Sequence, residues 1–199
     1  MWPATASLSS LPDPMRLRPI LCASLLAALA LPLRAGDWQD KIRDEMPLLG
    51  HRNWIVIVDS AYPWQNSPGI ETVETHASLP DVLRDVLVVV GHDQHVRANV
   101  FTDAELSEVP EADAPGIGAY RAELARILAG RAVGAVPHEE LIARLDEAGK
   151  TFHVLLLKTT LTLPYTSVFL QLDCAYWPAA AEQRLRAEEA KERLRAAKP

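Results

Sequence analysis

The sequence predicts an α/β domain built as a three-layer sandwich: a central, mostly parallel or mixed sheet with helices on both faces. Three observations carry that reading. The apolar run at 54–58 lacks polar alternation, as a strand covered on both faces does, and 152–157 and 167–172 read as further strands. Segments with helical periodicity lie between such runs, so strands and helices alternate along the chain. The composition is 49% apolar and 23% charged over 199 residues, which fits one globular domain with a sizeable core.

Each element has its own local signal. Residues 38–49 read as a helix capped by Asp37, with Ile42, Met46 and Leu49 on one face and Gly50 past its end. The run 54–58 (Trp-Ile-Val-Ile-Val) is a strand, and Asp59 to Pro63 turn the chain. Residues 64–69 are loop-like. A helix opened by Pro80 is expected from 79, feeding a strand over 86–90, with another strand at 98–102. Two prolines and two glycines make 109–118 a loop. Residues 119–129 are helical and 132–136 form a short strand. Pro137 starts a helix running to 148, proline being favoured at helix starts. Residues 178–199, rich in Ala, Glu and Arg, read as a solvated helix with i,i+4 charge pairs.

The N-terminus has the order of a secretory signal. Met15-Arg16-Leu17-Arg18 is basic, 20–31 is almost purely apolar, and Leu33-Arg34-Ala35-Gly36 supplies small residues. The expected organisation is therefore an export signal with an irregular extension over 1–36, a domain over 37–177 and a charged helical tail over 178–199. The apolar run is too short for a stable membrane span. Export predicts a periplasmic or secreted protein. The net charge of −6 gives no general attraction to phosphate backbones, so no nucleic-acid partner is expected. Of the two cysteines, Cys22 lies in the export segment and leaves Cys174 alone, which excludes an internal disulfide or a multi-cysteine metal site in the mature chain. His92 and His95 lack helical i,i+4 spacing and obvious co-ligands, so they read as loop residues and no metal is expected.

Three motifs stand in order along the domain. Leu49-Gly50-His51 closes a helix before the strand 54–58, which leads to Asp59 and Pro63. Pro137-His138-Glu139-Glu140-Leu141 opens a helix. Pro164-Tyr165-Thr166-Ser167-Val168-Phe169-Leu170 enters the last strand. Together they resemble the ribose pyranase/fucose mutarotase (RbsD/FucU) family over roughly residues 40–175. The resemblance implies His51 as the catalytic acid/base and Asp59, His138, Tyr165 and Ser167 as sugar contacts. It also implies a ring-like homo-oligomer, a decamer, in which the C-terminal tyrosine is lent to the next subunit. Ser167 stands where the family has asparagine, and a hydroxyl lacks the reach of a two-point amide. Lys158-Thr159-Thr160-Leu161 replaces the family's Arg/Ser-Gly-Glu segment, Gly69 stands where arginine is frequent, and about five extra residues separate His138 from Tyr165.

The implied reaction suits these residues. Changing the ring form of an aldose opens a hemiacetal and closes it again. One group removes the anomeric hydroxyl proton, another protonates the ring oxygen, and the roles then swap. A histidine does either job near neutral pH, and no metal or redox cofactor is required. Eight extended residues span roughly 26 Å, so His51 cannot touch Asp59 along a straight strand. Either Arg52-Asn53 bend the chain or two subunits share the site. The expected function is thus a cofactor-free monosaccharide mutarotase or pyranase. The alternative is a non-catalytic exported sugar-binding module of the same fold.

Overall fold

The computed structural model describes residues 38–197. The expected export segment 1–36 and the Asp37 cap lie outside the described residues. The elements in chain order are α1 (Trp38–Glu45), β1 (Trp54–Val58), β2 (Ile70–Glu74), α2 (Leu79–His92), β3 (Val96–Asp103), a 3-10 turn (Ala104–Ser107), α3 (Ile117–Ile127), β4 (Val133–Val136), α4 (His138–Ala148), β5 (Val154–Lys158), β6 (Val168–Cys174) and α5 (Ala179–Ala196).

The six strands form one mixed sheet in the order β2-β5-β1-β6-β3-β4. β1 pairs in parallel with β5, β5 with β2, and β3 with β4. β6 runs antiparallel between β1 and β3. The continuous apolar runs belong to the central strands, where every residue of β1 is buried. Alternation along them divides the core in two. Ile55, Ile57, Leu155, Leu157 and Leu170 pack under α1, α2 and α3. Trp54, Val56, Val58, Leu156 and Phe169 pack against Leu141 and Leu145 of α4 on the opposite face. Helices therefore cover both faces, giving the three layers that the sequence predicts.

One predicted strand is a helix. Residues 86–90 belong to α2, which continues unbroken to His92. Leu79, Val82, Leu83, Val86, Leu87 and Val90 are all buried, a spacing of three and four that lays one apolar stripe on the sheet. That burial outweighs the β-propensity of Val88-Val89-Val90, and Val88 on the far side stays exposed. The Ser78 hydroxyl caps the helix by accepting the Asp81 N–H, with Pro80 in the first turn. Conversely, β2 falls where the sequence reads as undefined. It is an edge strand with partly buried residues, so it lacks the unbroken apolar run of the centre.

The charged tail forms α5, which buries no residue and carries ion pairs such as Arg186 to Glu182 and Glu189. Among the described residues no helix is long and apolar enough to cross a membrane. Since β1 to β5 run parallel and β6 runs against them, the C-terminal ends of five strands meet the N-terminal end of β6 along one edge. That edge is where ligands bind in open α/β sheets.

Candidate active site

Five separate stretches of sequence meet at this edge, at 59–62, 103–105, 137–138, 158 and 165–167. Asp59 is the first residue past β1. Its Oδ1 accepts the Ala61 N–H at 2.8 Å and shapes the turn. The turn brings the buried Tyr62 over the edge, where Lys158 at the end of β5 donates to the Tyr62 carbonyl at 2.9 Å. β3 ends in Asp103, whose side chain is wholly buried. The 3-10 turn that follows presents Glu105, and both of its carboxylate oxygens accept the His138 N–H at 3.1 Å. Pro137 offers α4 no side-chain cap, so Glu105 supplies the missing acceptor from another element.

His138 is the centre of the cluster. Its Nδ1 lies 2.9 Å from Asp103 Oδ1. Its ring meets Tyr165 edge-on at 5.6 Å between centroids and Tyr62 at 6.4 Å. Nε2 has no hydrogen-bond partner among the described residues, and the side chain is only 23% exposed. An aspartate on Nδ1 fixes the tautomer with the proton on that nitrogen, leaving Nε2 as an acceptor. Tyr165 sits in the left-handed region at φ +55°, strained for a residue with a side chain. The loop around it is pinned from below. Tyr120 of α3 donates its hydroxyl to the Thr166 carbonyl at 2.5 Å, and the Thr166 hydroxyl donates to the Leu163 carbonyl at 2.8 Å.

Two buried polar atoms in this region lack partners among the described residues: Asp103 Oδ2 and the Ser167 hydroxyl. The register of β3 on β6, with Thr102 opposite Val168, sets Ser167 across from Asp103. Burial pushes the Asp103 carboxyl above its ordinary range, against the opposing pull of the His138 hydrogen bond and charge and of the Ser167 backbone N–H. Burial and the charge of Asp103 likewise push the phenols of Tyr62 and Tyr120 upward. Ser167 is fully buried behind the Tyr165 loop, so its hydroxyl presents no surface to a ligand in this conformation.

The structure therefore gathers Asp59, His138, Tyr165 and Ser167 at one edge of the sheet and leaves His51 at the other. His51 precedes β1, and that strand alone is about 16 Å long. Its Nδ1 lies 3.0 Å from Asp173 Oδ1, and its Nε2 accepts from Arg52 Nε at 3.3 Å. Arg97 donates to the second oxygen of Asp173 at 2.7 Å. Burial works against the charge on Asp173, but Arg97, the Cys174 amide and His51 outweigh it and hold the carboxyl below its ordinary range. The exposed His51 ring lines an open groove of about 580 Å³ with Trp54, Arg144, Phe152 and Gln171. Tyr165 stands against His138 of its own chain.

Sequence reasoning missed Asp103, Glu105 and the part played by Tyr62. A weak signal existed: Thr102-Asp103 repeats the strand-then-aspartate pattern of Val58-Asp59. Elsewhere, Glu45, Glu71 and His153 bring ligand atoms within 4.8 Å of one another. Lys41 already bridges both carboxylates there, at 2.7 and 2.6 Å, and their hydrogen bonds raise its pKa. The cation this cluster holds is thus a lysine. His95 bonds the Leu49 carbonyl at 2.8 Å and pairs with Asp93, joining α2 to the end of the first helix region.

No family model matches the chain, and no curated protein matches it. Among solved structures it is similar to RbsD of Bacillus subtilis complexed with D-ribose, at 20% identity and a TM-score of 0.47, over 67% of this chain and 91% of that one. It is similar to the fucose mutarotase of Streptococcus pneumoniae in complex with L-fucose, at 19% identity and a TM-score of 0.43, over 67% and 89%. FucU of Bifidobacterium longum matches at 16% identity and a TM-score of 0.42, over 67% and 94%. All three are of the kind that the sequence motifs resemble. The likeness is distant and transfers no residue role or activity.

Proposed function

We propose that this chain interconverts ring or anomeric forms of a free monosaccharide by proton transfer alone. The sugar binds at the C-terminal edge of the sheet against Asp59, His138 and Tyr165. His51 joins that site from a neighbouring copy of the chain, because β1 keeps it from the edge of its own. One observation carries the proposal. Segments far apart in sequence, each bearing one of the three motifs, bring Asp59, His138 and Tyr165 to one edge of the sheet, where Tyr165 meets the partly buried His138 ring and Nε2 has no partner among the described residues. Aromatic rings, a carboxylate and an imidazole are groups that hold a polyhydroxylated ring and move its protons. The export signal read at 1–36 puts this activity in the periplasm or outside the cell.

The test is sugar-exchange NMR on the purified chain with D-ribose, L-fucose and a small panel of other monosaccharides. Saturation transfer between ring forms should be faster with protein, and the acceleration should vanish in His51→Ala. A well-folded protein that accelerates no sugar removes the enzymatic reading and leaves a sugar-binding module.

A further inference from the structure

The reaction needs two proton-handling groups, and the resemblance supplies one, His51. We propose that His138 is the second, acting through Nε2, with Asp103 as the positioning residue that holds its ring. This inference rests on the mutarotase reading above and assigns a proton-transfer role to a residue expected only to contact the sugar.

The argument starts from what surrounds His138. Asp103 faces it from β3, Glu105 from the 3-10 turn, Tyr62 from the turn after β1, and Tyr165 from the loop before β6. Glu105 holds the backbone N–H, so the helix start is fixed independently of the ring. Asp103 holds the ring at Nδ1. A histidine kept only as a surface contact needs no such double anchorage, nor a buried carboxylate behind it. Burying Asp103 with Oδ2 unpaired is unfavourable for the fold. The same arrangement is useful in a reaction, where a carboxylate behind the ring stabilises the imidazolium formed when Nε2 takes a proton. The two aromatic rings confine the imidazole between them, so Nε2 points one way.

The step balances as follows. His138 Nε2 takes the proton of the anomeric hydroxyl. The O–H electron pair becomes the second bond of the new carbonyl, and the bond from the anomeric carbon to the ring oxygen breaks. That pair stays on the ring oxygen, which takes a proton from the protonated His51 of the neighbouring copy. Ring closure runs the transfers backwards and can return the hydroxyl to either face.

The experiment measures exchange rates by saturation transfer over a range of D-ribose and L-fucose concentrations. Wild type, His138→Asn and Asp103→Asn are compared. Removing a positioned acid/base or its orienting carboxylate should lower kcat by about 10²- to 10⁴-fold. KM should change far less than kcat, since the contacts assigned to Asp59 and Tyr165 remain. Nitrogen-15 NMR of the His138 ring should show Nδ1–H in wild type and a mixture of tautomers in Asp103→Asn, and a fall in kcat at nearly constant KM then marks the carboxylate as positioning rather than purely structural. His138→Asn, at a partly exposed position, keeps the test open if the buried Asp103 variant does not fold. An active wild type with kcat retained in His138→Asn, or changed only in KM, overturns the inference and leaves the mutarotase reading standing. A wild type that accelerates no sugar overturns both.

Discussion

Asp103 shows how a single residue can be set against the stability of its own fold. Its carboxyl is wholly buried, one oxygen is unpaired, and its pKa lies above the ordinary value near 4 for an aspartate. A carboxyl whose folded pKa is raised favours folding while protonated. That contribution is complete below the unfolded pKa and is lost as pH rises through the folded one. Asp103→Asn keeps the shape and cannot ionise. We expect it to match wild type below about pH 4 and to be the more stable protein above that, with a gap that widens until native Asp103 has ionised. Thermal melts across that range check this. A variant less stable than wild type at neutral pH would mean that the ionised carboxylate holds the fold together. More stability with less turnover would mark Asp103 as a residue kept for chemistry.

At the scale of elements, the sites of closest approach are the most exposed to substitution. Gly69 starts β2 by donating to the Gly149 carbonyl at 2.8 Å, and its own carbonyl accepts the Val154 N–H at 2.8 Å. A Cβ at Gly69 would stand 2.2 Å from the Phe152 carbonyl oxygen and 2.7 Å from that of Gly149. Both obstacles are backbone and cannot swing away. Gly69→Ala should therefore lower stability by about 1–3 kcal/mol in denaturant unfolding, the usual cost of overpacking. An unchanged midpoint would contradict the strand pairing there. The central strands were legible because unbroken apolar runs such as 54–58 and 154–157 have one physical meaning in a covered sheet. The end of α2 was not, because three successive valines fit either element until the buried face is known. Edge strand β2 carries too little burial to leave a pattern. Asp59, His138 and Tyr165 could be found through local motifs. Asp103 could not, since its importance arises only where β3 meets the start of α4.

For the whole molecule, the parallel strands set both the opportunity and the problem. They collect loops from five strand ends at one edge and leave His51 beyond the other end of β1. A single chain cannot join the two sets, so a site that uses both histidines requires a contact between copies. His51 lies beside an open groove and is itself well exposed, as a group offered to a neighbour must be. The tail helix α5 adds no residue to either core, so the sheet and its two helical layers stand without it.

Subunit complementation tests this most directly. His51→Ala and His138→Asn chains, each inactive alone, are unfolded together, refolded as a mixture, and assayed by sugar-exchange NMR. Sites built from two neighbouring copies draw both intact histidines one time in four, so about a quarter of the wild-type rate should return. A refolded, mixed assembly that stays inactive would contradict a site shared between copies.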